Sequence, residues 1–124
     1  MKLSPTKFAQ LVEEGLALIP AELRQHIDNV GIVIEDEPSL ELLDDLNIPD
    51  DETLYGLYTG TPLTERAVEG EPLLPDKIVI YRRPLLEDFD DPDEIRREIA
   101  RTVIHEIAHH FGIDEQRLAE LGWE

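Results

Sequence analysis

The residues best suited to chemistry in this chain lie together near its carboxyl end, in the sequence HEIAHHFGIDE. His105 and His109 are four positions apart there. Each residue of a helix advances by about 100°, so the two imidazoles would lie about 40° apart on one side of a helix. A catalytic zinc ion takes about three protein ligands and leaves one position for water, and two histidines at this spacing supply two of the three. The pair therefore predicts one zinc ion per chain, held in part by His105 and His109.

A candidate general base follows the first histidine directly. Glu106 borders the side of the helix that carries His105 and His109. A carboxylate beside a metal can accept a proton from zinc-bound water and pass it to a leaving amine. We therefore expect peptide-bond hydrolysis, with Glu106 as the catalytic residue.

The third zinc ligand must come after a turn, because the helix axis carries later residues away from the metal. Gly112 provides that turn, and Glu115, ten positions after His105, is a carboxylate placed to fold back. Glu115 is the favoured ligand. Asp114 is an alternative, although its expected role is to cap the final helix, and Glu120 of that helix is another.

Other polar residues have weaker claims on the site. His110 points in a different direction from the ligand pair, so we expect it to pack or lie at the surface. Glu98 and Thr102 share the ligand side, and either is a candidate to orient a histidine, since metal-bound histidines usually give their other ring N–H to an acceptor. Three tyrosines are candidate donors to an oxyanion, although strand tyrosines more often pack: Tyr55, Tyr58 and Tyr81.

The composition narrows the classes of ligand and partner. The chain has no cysteine, which excludes disulfides and thiolate zinc ligands and leaves histidines and carboxylates. With 11 Lys and Arg against 29 Asp and Glu, the net charge of −18 repels nucleic acid and anionic lipid. We expect a peptide or protein substrate. The acidity itself indicates solubility or adaptation to a salty cytoplasm, and a preference for basic peptides or partners is the alternative interpretation. The start MKLSPTKFAQ lacks an apolar signal core, and no apolar run approaches about 20 residues, so a cytoplasmic location is expected.

Helices are predicted in the amino-terminal half. Ser4 followed by Pro5 has the pattern of a capped helix start, and Pro20 marks its end. A second short helix is predicted over residues 21–28. The acidic segment that follows residue 35 carries four leucines in residues 40–46, which allow one or two helical turns.

Three strands are predicted at residues 30–34, 54–59 and 77–81. The first is a nearly continuous β-branched apolar run, which indicates a central strand buried on both faces. Gly56 interrupts the second and indicates a bulge or a close backbone approach. The letters RRP end the third strand, and residues 61–75 are predicted to form a polar loop.

The helix that carries the motif has clear start and stop signals. Asp91 is a capping acid, Pro92 occupies the first helical position, and Gly112 ends the helix after Phe111. One stripe of this helix is predicted to face the core: Ile95, Ile99, Val103, Ile107 and Phe111, with Ala100 and Ile104 beside them.

The order of elements predicts an α+β fold in a single domain over residues 1–124. A small mixed sheet is expected to pack on the helix that carries His105 and His109. A final helix begins after Asp114, runs through Leu121 and closes at Gly122. Trp123 is expected to pack the carboxyl-terminal segment down.

HEIAHHFGIDE extends HExxH to HExxHxxGxx(D/E), and in this it resembles the mini-zincins, short bacterial zincin-like metallopeptidases. The resemblance is dense over residues 101–122. It implies zinc on His105, His109 and Glu115 with Glu106 as general base. The motif departs from metzincins in having an acid as its last ligand and no methionine turn, because Met1 is the chain's only methionine. The alternative is a non-catalytic zinc-binding or interaction protein on the same frame.

Overall fold

The computed structural model describes residues 1–49, 52–60 and 76–123. Within these residues the chain forms six α-helices and three strands, which confirms the predicted α+β fold. Helices are α1 (Pro5–Leu16), α2 (Ala21–Arg24), α3 (Leu40–Asp45), α4 (Arg82–Asp88), α5 (Pro92–Phe111) and α6 (Glu115–Glu120). Strands are β1 (Gly31–Glu35), β2 (Gly56–Thr59) and β3 (Lys77–Tyr81), and a short 3-10 turn, Gln25–Ile27, follows α2. None of the helices described has the length and hydropathy to cross a membrane.

The sheet has the order β1-β3-β2 and is mixed. β1 runs parallel to β3, with Gly31 opposite Lys77, and β2 runs antiparallel to β3, with Gly56 opposite Ile80. The central strand is therefore β3, whose residues 78–81 are all buried.

The prediction that residues 30–34 form a buried central strand is wrong. β1 lies at an edge of the sheet, and Val33 and Ile34 are 38% and 37% exposed. β-branched apolar residues suit any strand that packs on at least one neighbour, so their presence does not distinguish a central strand from an edge strand.

The core lies between α5, α1 and the sheet. The predicted stripe of α5 is buried from Ile95 to Ile107, but Phe111 is 38% exposed, so its assignment to the core is wrong. Phe111 ends the helix and contacts the rings of His26 and His110 instead. On the other side, a Cβ at Gly15 would lie 2.8 Å from the Arg96 carbonyl oxygen, so α1 packs closely on α5 at this glycine.

Capping residues fix the helix ends as predicted. The Asp91 side chain accepts the Asp93 N–H at 2.9 Å, and the Asp114 side chain accepts the Arg117 N–H at 2.8 Å. Gly112 follows α5 with φ 71°, a left-handed conformation that favours glycine. The two ends of the motif-bearing helix are therefore where the sequence indicated them.

Helix α4 was not predicted, because the letters RRP were interpreted only as the end of a strand. Pro84 is the third residue of α4. The first N–H groups of a helix have no intrahelical partner, so a proline there removes no hydrogen bond. β2 begins at Gly56 and not at residue 54. The predicted loop at residues 61–75 lies outside the described residues.

Candidate metal centre

The two predicted histidine ligands and the predicted base lie in the carboxyl-terminal half of α5. His105 and Glu106 are half-buried and His109 is exposed. Behind them, Ile104 and Ile107 are fully buried in the core. This half of the site is therefore fixed by the packing of α5 and needs no loop to position it.

Strand β2 packs on the same helix, and Gly56 is the point of closest approach. A Cβ at this position would lie 2.8 Å from Thr102 Cγ2 and 2.9 Å from the Val79 carbonyl oxygen. Both distances are shorter than real Cβ contacts, so the approach requires glycine. The close approach predicted at Gly56 is confirmed, and it brings the backbone of Tyr58 to the motif.

Glu106 has an environment that suits a base. The backbone N–H of Tyr58 donates a hydrogen bond to its carboxylate. Burial raises the pKa of Glu106 above its ordinary value, while the Tyr58 N–H and the nearby His109 and His105 charges oppose the rise without cancelling it. A carboxylate with a raised pKa accepts a proton more readily than an exposed acid does.

His105 makes a contact with the carboxyl-terminal segment. Its Nε2 lies 3.3 Å from the carbonyl oxygen of Trp123. A carbonyl oxygen only accepts, so this hydrogen bond forms in the tautomer that is protonated at Nε2 and leaves the lone pair on Nδ1. A metal on Nε2 would take the place of the Trp123 carbonyl. The Trp123 side chain packs against the core, as predicted.

Glu98 places a second half-buried carboxyl on the α5 side that carries His105. Burial raises its pKa, and the charges of Arg101 and His105 act in the opposite direction. Arg101 Nη1 lies 3.9 Å from the Glu98 carboxylate. Thr102, the other residue considered for orienting a histidine, contacts β2 at Gly56 through its methyl group. Whether either residue orients an imidazole stays a prediction.

The three candidate third ligands lie on or beside α6. Glu115 is exposed at the first position of α6. Asp114 caps that helix, and Glu120 forms an ion pair with Arg117 at 2.8 Å. Across residues 1–49, 52–60 and 76–123, no three His, Asp or Glu side chains lie close enough together to hold a metal ion. The choice of third ligand stays a prediction.

Two of the three candidate oxyanion donors already have partners. Tyr55 donates its hydroxyl to Asp88 at 2.5 Å, and Tyr58 donates its hydroxyl to Asp76 at 2.5 Å. Tyr81 is buried in the central strand. The assignment of an oxyanion donor to any of the three stays a prediction.

The sequence does not indicate two contacts of the site, because main-chain atoms make them. These are the Tyr58 N–H on Glu106 and the Trp123 carbonyl on His105. The glycine in the sequence LYGLYT was the one available signal for the first. His110 stacks on the Tyr58 ring with centroids 4.0 Å apart, which is a packing role of the kind expected for it.

Comparisons with known proteins connect this geometry to a family. A family model described as zincin-like metallopeptidase matches residues 27–123, a range that includes all three strands, α5 and α6. The solved structure of a conserved hypothetical protein from T. thermophilus is similar to the chain, with a TM-score of 0.56 and 20% identity over 95% of this chain and 99% of that one. No curated protein sequence matches. The structural likeness shows the fold, and the family match bears out the resemblance found in HEIAHHFGIDE.

Proposed function

Because the chain belongs to the zincin-like metallopeptidase family, we propose that it is a zinc-dependent peptidase that hydrolyses peptide bonds. The observation that carries the proposal is the position of Glu106. It lies beside His105 and within one turn of His109, half-buried, and it accepts the Tyr58 N–H. A carboxylate held in this way next to two imidazoles matches the needs of metal-assisted hydrolysis.

The chemistry of the donors suits zinc. Imidazole nitrogens and carboxylate oxygens are both good zinc ligands, and in a chain without cysteine they are the strong ligands available. We propose that His105, His109 and Glu115 hold one zinc ion. When bound, zinc would act as a Lewis acid that polarises the substrate carbonyl and acidifies water.

Glu106 performs the proton transfers in this proposal. It removes a proton from the water whose oxygen attacks the carbonyl carbon of the peptide. As the C–N bond breaks, Glu106 delivers that proton to the leaving nitrogen. The Tyr58 N–H keeps the carboxylate oriented between the two steps.

The substrate we propose is an extended peptide that runs along β2. Tyr81 donates its N–H to the Tyr55 carbonyl at 2.9 Å. Because main-chain groups alternate along a strand, the N–H and C=O groups of residues 55, 57 and 59 face β3, whereas Tyr58 directs its N–H toward α5. Main-chain hydrogen bonds along a strand edge bind peptides with little sequence preference, and here they would form at outward groups other than the Tyr58 N–H, which Glu106 accepts. The net charge of −18 favours basic peptides.

Metal content of the purified protein, measured by mass spectrometry, tests the site first. We expect about one zinc per chain, lost in His105→Ala and His109→Ala and reduced in Glu115→Ala. His110→Ala is the matched control, because it removes a neighbouring imidazole from another side of the helix and should retain zinc. Zinc that is unaffected by Glu115→Ala but lost in Asp114→Ala or Glu120→Ala would reassign the third ligand.

Peptide hydrolysis by the Glu106→Gln variant tests the mechanism. The amide retains the shape of the side chain but cannot accept the proton, so we expect zinc to stay and turnover to fall by about 100-fold or more. If Glu106→Gln cut a peptide library as fast as the wild type does, the assignment of the base would be wrong.

A second candidate function is a zinc-binding or interaction protein without peptidase activity. The observation that favours it is that two candidate oxyanion donors are already engaged: the hydroxyls of Tyr55 and Tyr58 are donated to Asp88 and Asp76. A peptidase gains much of its rate from donors aimed at the oxyanion. Stoichiometric zinc without hydrolysis of any peptide in a broad library would support this alternative.

A further inference from the structure

The edge of the sheet at β1 has an unusual composition. The strand GIVIE has β-branched apolar residues at three successive positions, and Val33 and Ile34 are both more than a third exposed. Natural edge strands are usually protected by lysine, proline, a bulge or an inward-pointing charge. Within residues 31–35 only Glu35, at the end, carries a charge. The strand therefore exposes a surface suited to pairing with another strand.

The backbone of β1 also presents hydrogen-bonding groups to that side. Gly31 donates its N–H to the Asp76 carbonyl at 3.0 Å, next to the first pair of the parallel register with β3. Alternate residues of a strand direct their N–H and C=O groups to the same side, so Ile32 and Ile34 direct theirs away from β3. In the part of the chain that the structure describes, β1 pairs with β3 alone.

A cleft continues the apolar surface beyond the end of the strand. It has a volume of about 490 Å³. Its lining combines apolar and acidic side chains, among them Leu40, Leu42, Tyr81, Glu35 and Glu37. Leu40, in the first turn of α3, is 84% exposed. Together with Val33 and Ile34, this side chain extends the exposed apolar surface from β1 to α3, and contiguous exposed apolar surface is the feature that marks interaction sites.

The charges around this surface indicate the kind of partner. Glu35 lines the cleft. Three more acids follow Leu40 along α3: Glu41, Asp44 and Asp45. Asp36 and Glu37 are paired with Arg82 and Arg83 at 3.2 Å, which leaves the rim with an excess of negative charge. A second copy of the chain would bring its own charge of −18 to this acidic rim and be repelled.

We propose that the β1 edge and the cleft beside it dock an extended cationic segment of a partner protein. The segment adds as a fourth strand through the outward groups of Ile32 and Ile34. Its apolar side chains pack on Val33 and Leu40, and its lysines or arginines lie at the acidic rim. This surface is at the opposite edge of the sheet from β2, so docking here is independent of the metal centre and of the proposed hydrolysis.

The test uses a fluorescein-labelled peptide of four Lys-Val repeats with the chain of 124 residues. Fluorescence anisotropy measures affinity, and amide chemical shifts locate the peptide. We expect shifts in residues 31–35. Additional shifts in residues 56–59 would report the same basic peptide bound along β2, where we propose that the substrate lies, and they would not replace the shifts in β1. Binding should weaken as salt is added, and a peptide of four Glu-Val repeats should fail to bind.

Three variants separate the contributions to binding. Ile34→Pro removes an outward N–H without removing a bond to β3, and it should weaken binding by about tenfold or more. Leu40→Ala changes a side chain that is 84% exposed, so folding should be unaffected while binding weakens by about threefold. Leu18→Ala is the matched control, an aliphatic side chain 45% exposed outside the sheet, and should bind as the wild type does.

Several results would overturn the proposal. Absence of binding by the Lys-Val peptide would do so, as would equal affinity of the Leu40→Ala and wild-type proteins. Chemical shifts confined to β2 and α5 would assign the peptide to the proposed substrate cleft instead. A concentration-dependent dimer in sedimentation, lost in Ile34→Pro, would show that a second copy occupies the edge and that the cationic partner is wrong.

Discussion

The two parts of the chain that carry the predicted zinc ligands are built very differently. α5 is 20 residues long and buries seven of them, whereas α6 is six residues long and buries only Leu118. His105 and His109 are therefore fixed by the hydrophobic core. The position of Glu115 depends instead on the Asp114 cap, the turn at Gly112 and the burial of Leu118. In such an arrangement the elements with few buried contacts open first, and metal binding would stabilise them most.

The largest expected effect comes from removing one buried side chain in each part. Ile107→Ala should lower the free energy of unfolding by about 2–5 kcal/mol, because it leaves a cavity beneath the motif. Leu118→Ala should instead release α6 locally, so that amide exchange accelerates in residues 115–120 while α5 remains protected. Urea unfolding and hydrogen exchange measure the two effects. Equal loss of protection in both helices after Leu118→Ala would show that the two parts form one cooperative unit.

A smaller effect is expected where β2 meets α5. Gly56→Ala places a methyl group against Thr102 Cγ2 and the Val79 carbonyl oxygen, which should cost about 1–3 kcal/mol through forced movement of the strand. Removing the threonine methyl in Gly56→Ala/Thr102→Ser relieves one of the two contacts, so partial rescue of thermal stability is expected. No loss of stability in Gly56→Ala would mean that the approach of β2 to α5 at Gly56 does not require glycine.

Two glycines with positive φ, Gly112 between the two parts and Gly122 after α6, offer a matched pair of variants. Gly112 and Gly122 have φ 71° and 82°, and a Cβ added at either would meet no atom of the described residues within 4 Å. Replacement by alanine should cost about 1 kcal/mol at each, from backbone strain alone. Only Gly112 lies between His109 and Glu115, so we expect zinc affinity to fall in Gly112→Ala and to be maintained in Gly122→Ala. Equal affinities would show that the turn does not position the third ligand.

The same contrast explains what the sequence revealed. Asp91, Pro92 and Gly112 are strong local signals, and α5 begins and ends where they predicted. Edge or central position depends on which strands pair, so the pattern of residues 30–34 did not reveal it. The histidine pair needed only the helical repeat. The Tyr58 N–H on Glu106 depends on how β2 packs on α5, and that is a tertiary contact with no side-chain pattern of its own.

The smallest effect concerns the ion pair between α6 and α2. Arg117 of α6 bonds to Glu22 of α2, and this hydrogen bond holds the pKa of Glu22 below its ordinary value. A carboxyl with a lower pKa in the folded state stabilises the fold above its unfolded pKa, and the contribution is lost as the pH falls through the folded value. Wild type should therefore melt slightly above Glu22→Gln at pH 7, and the difference should vanish in acid. Glu41→Gln, an exposed change in the first turn of α3, is the control, because it removes the same charge without touching α6. If the difference in melting temperature between wild type and Glu22→Gln persisted below the folded pKa of Glu22, the amide would disturb α2 itself. The stabilisation could then not be assigned to the charge of Glu22 on Arg117.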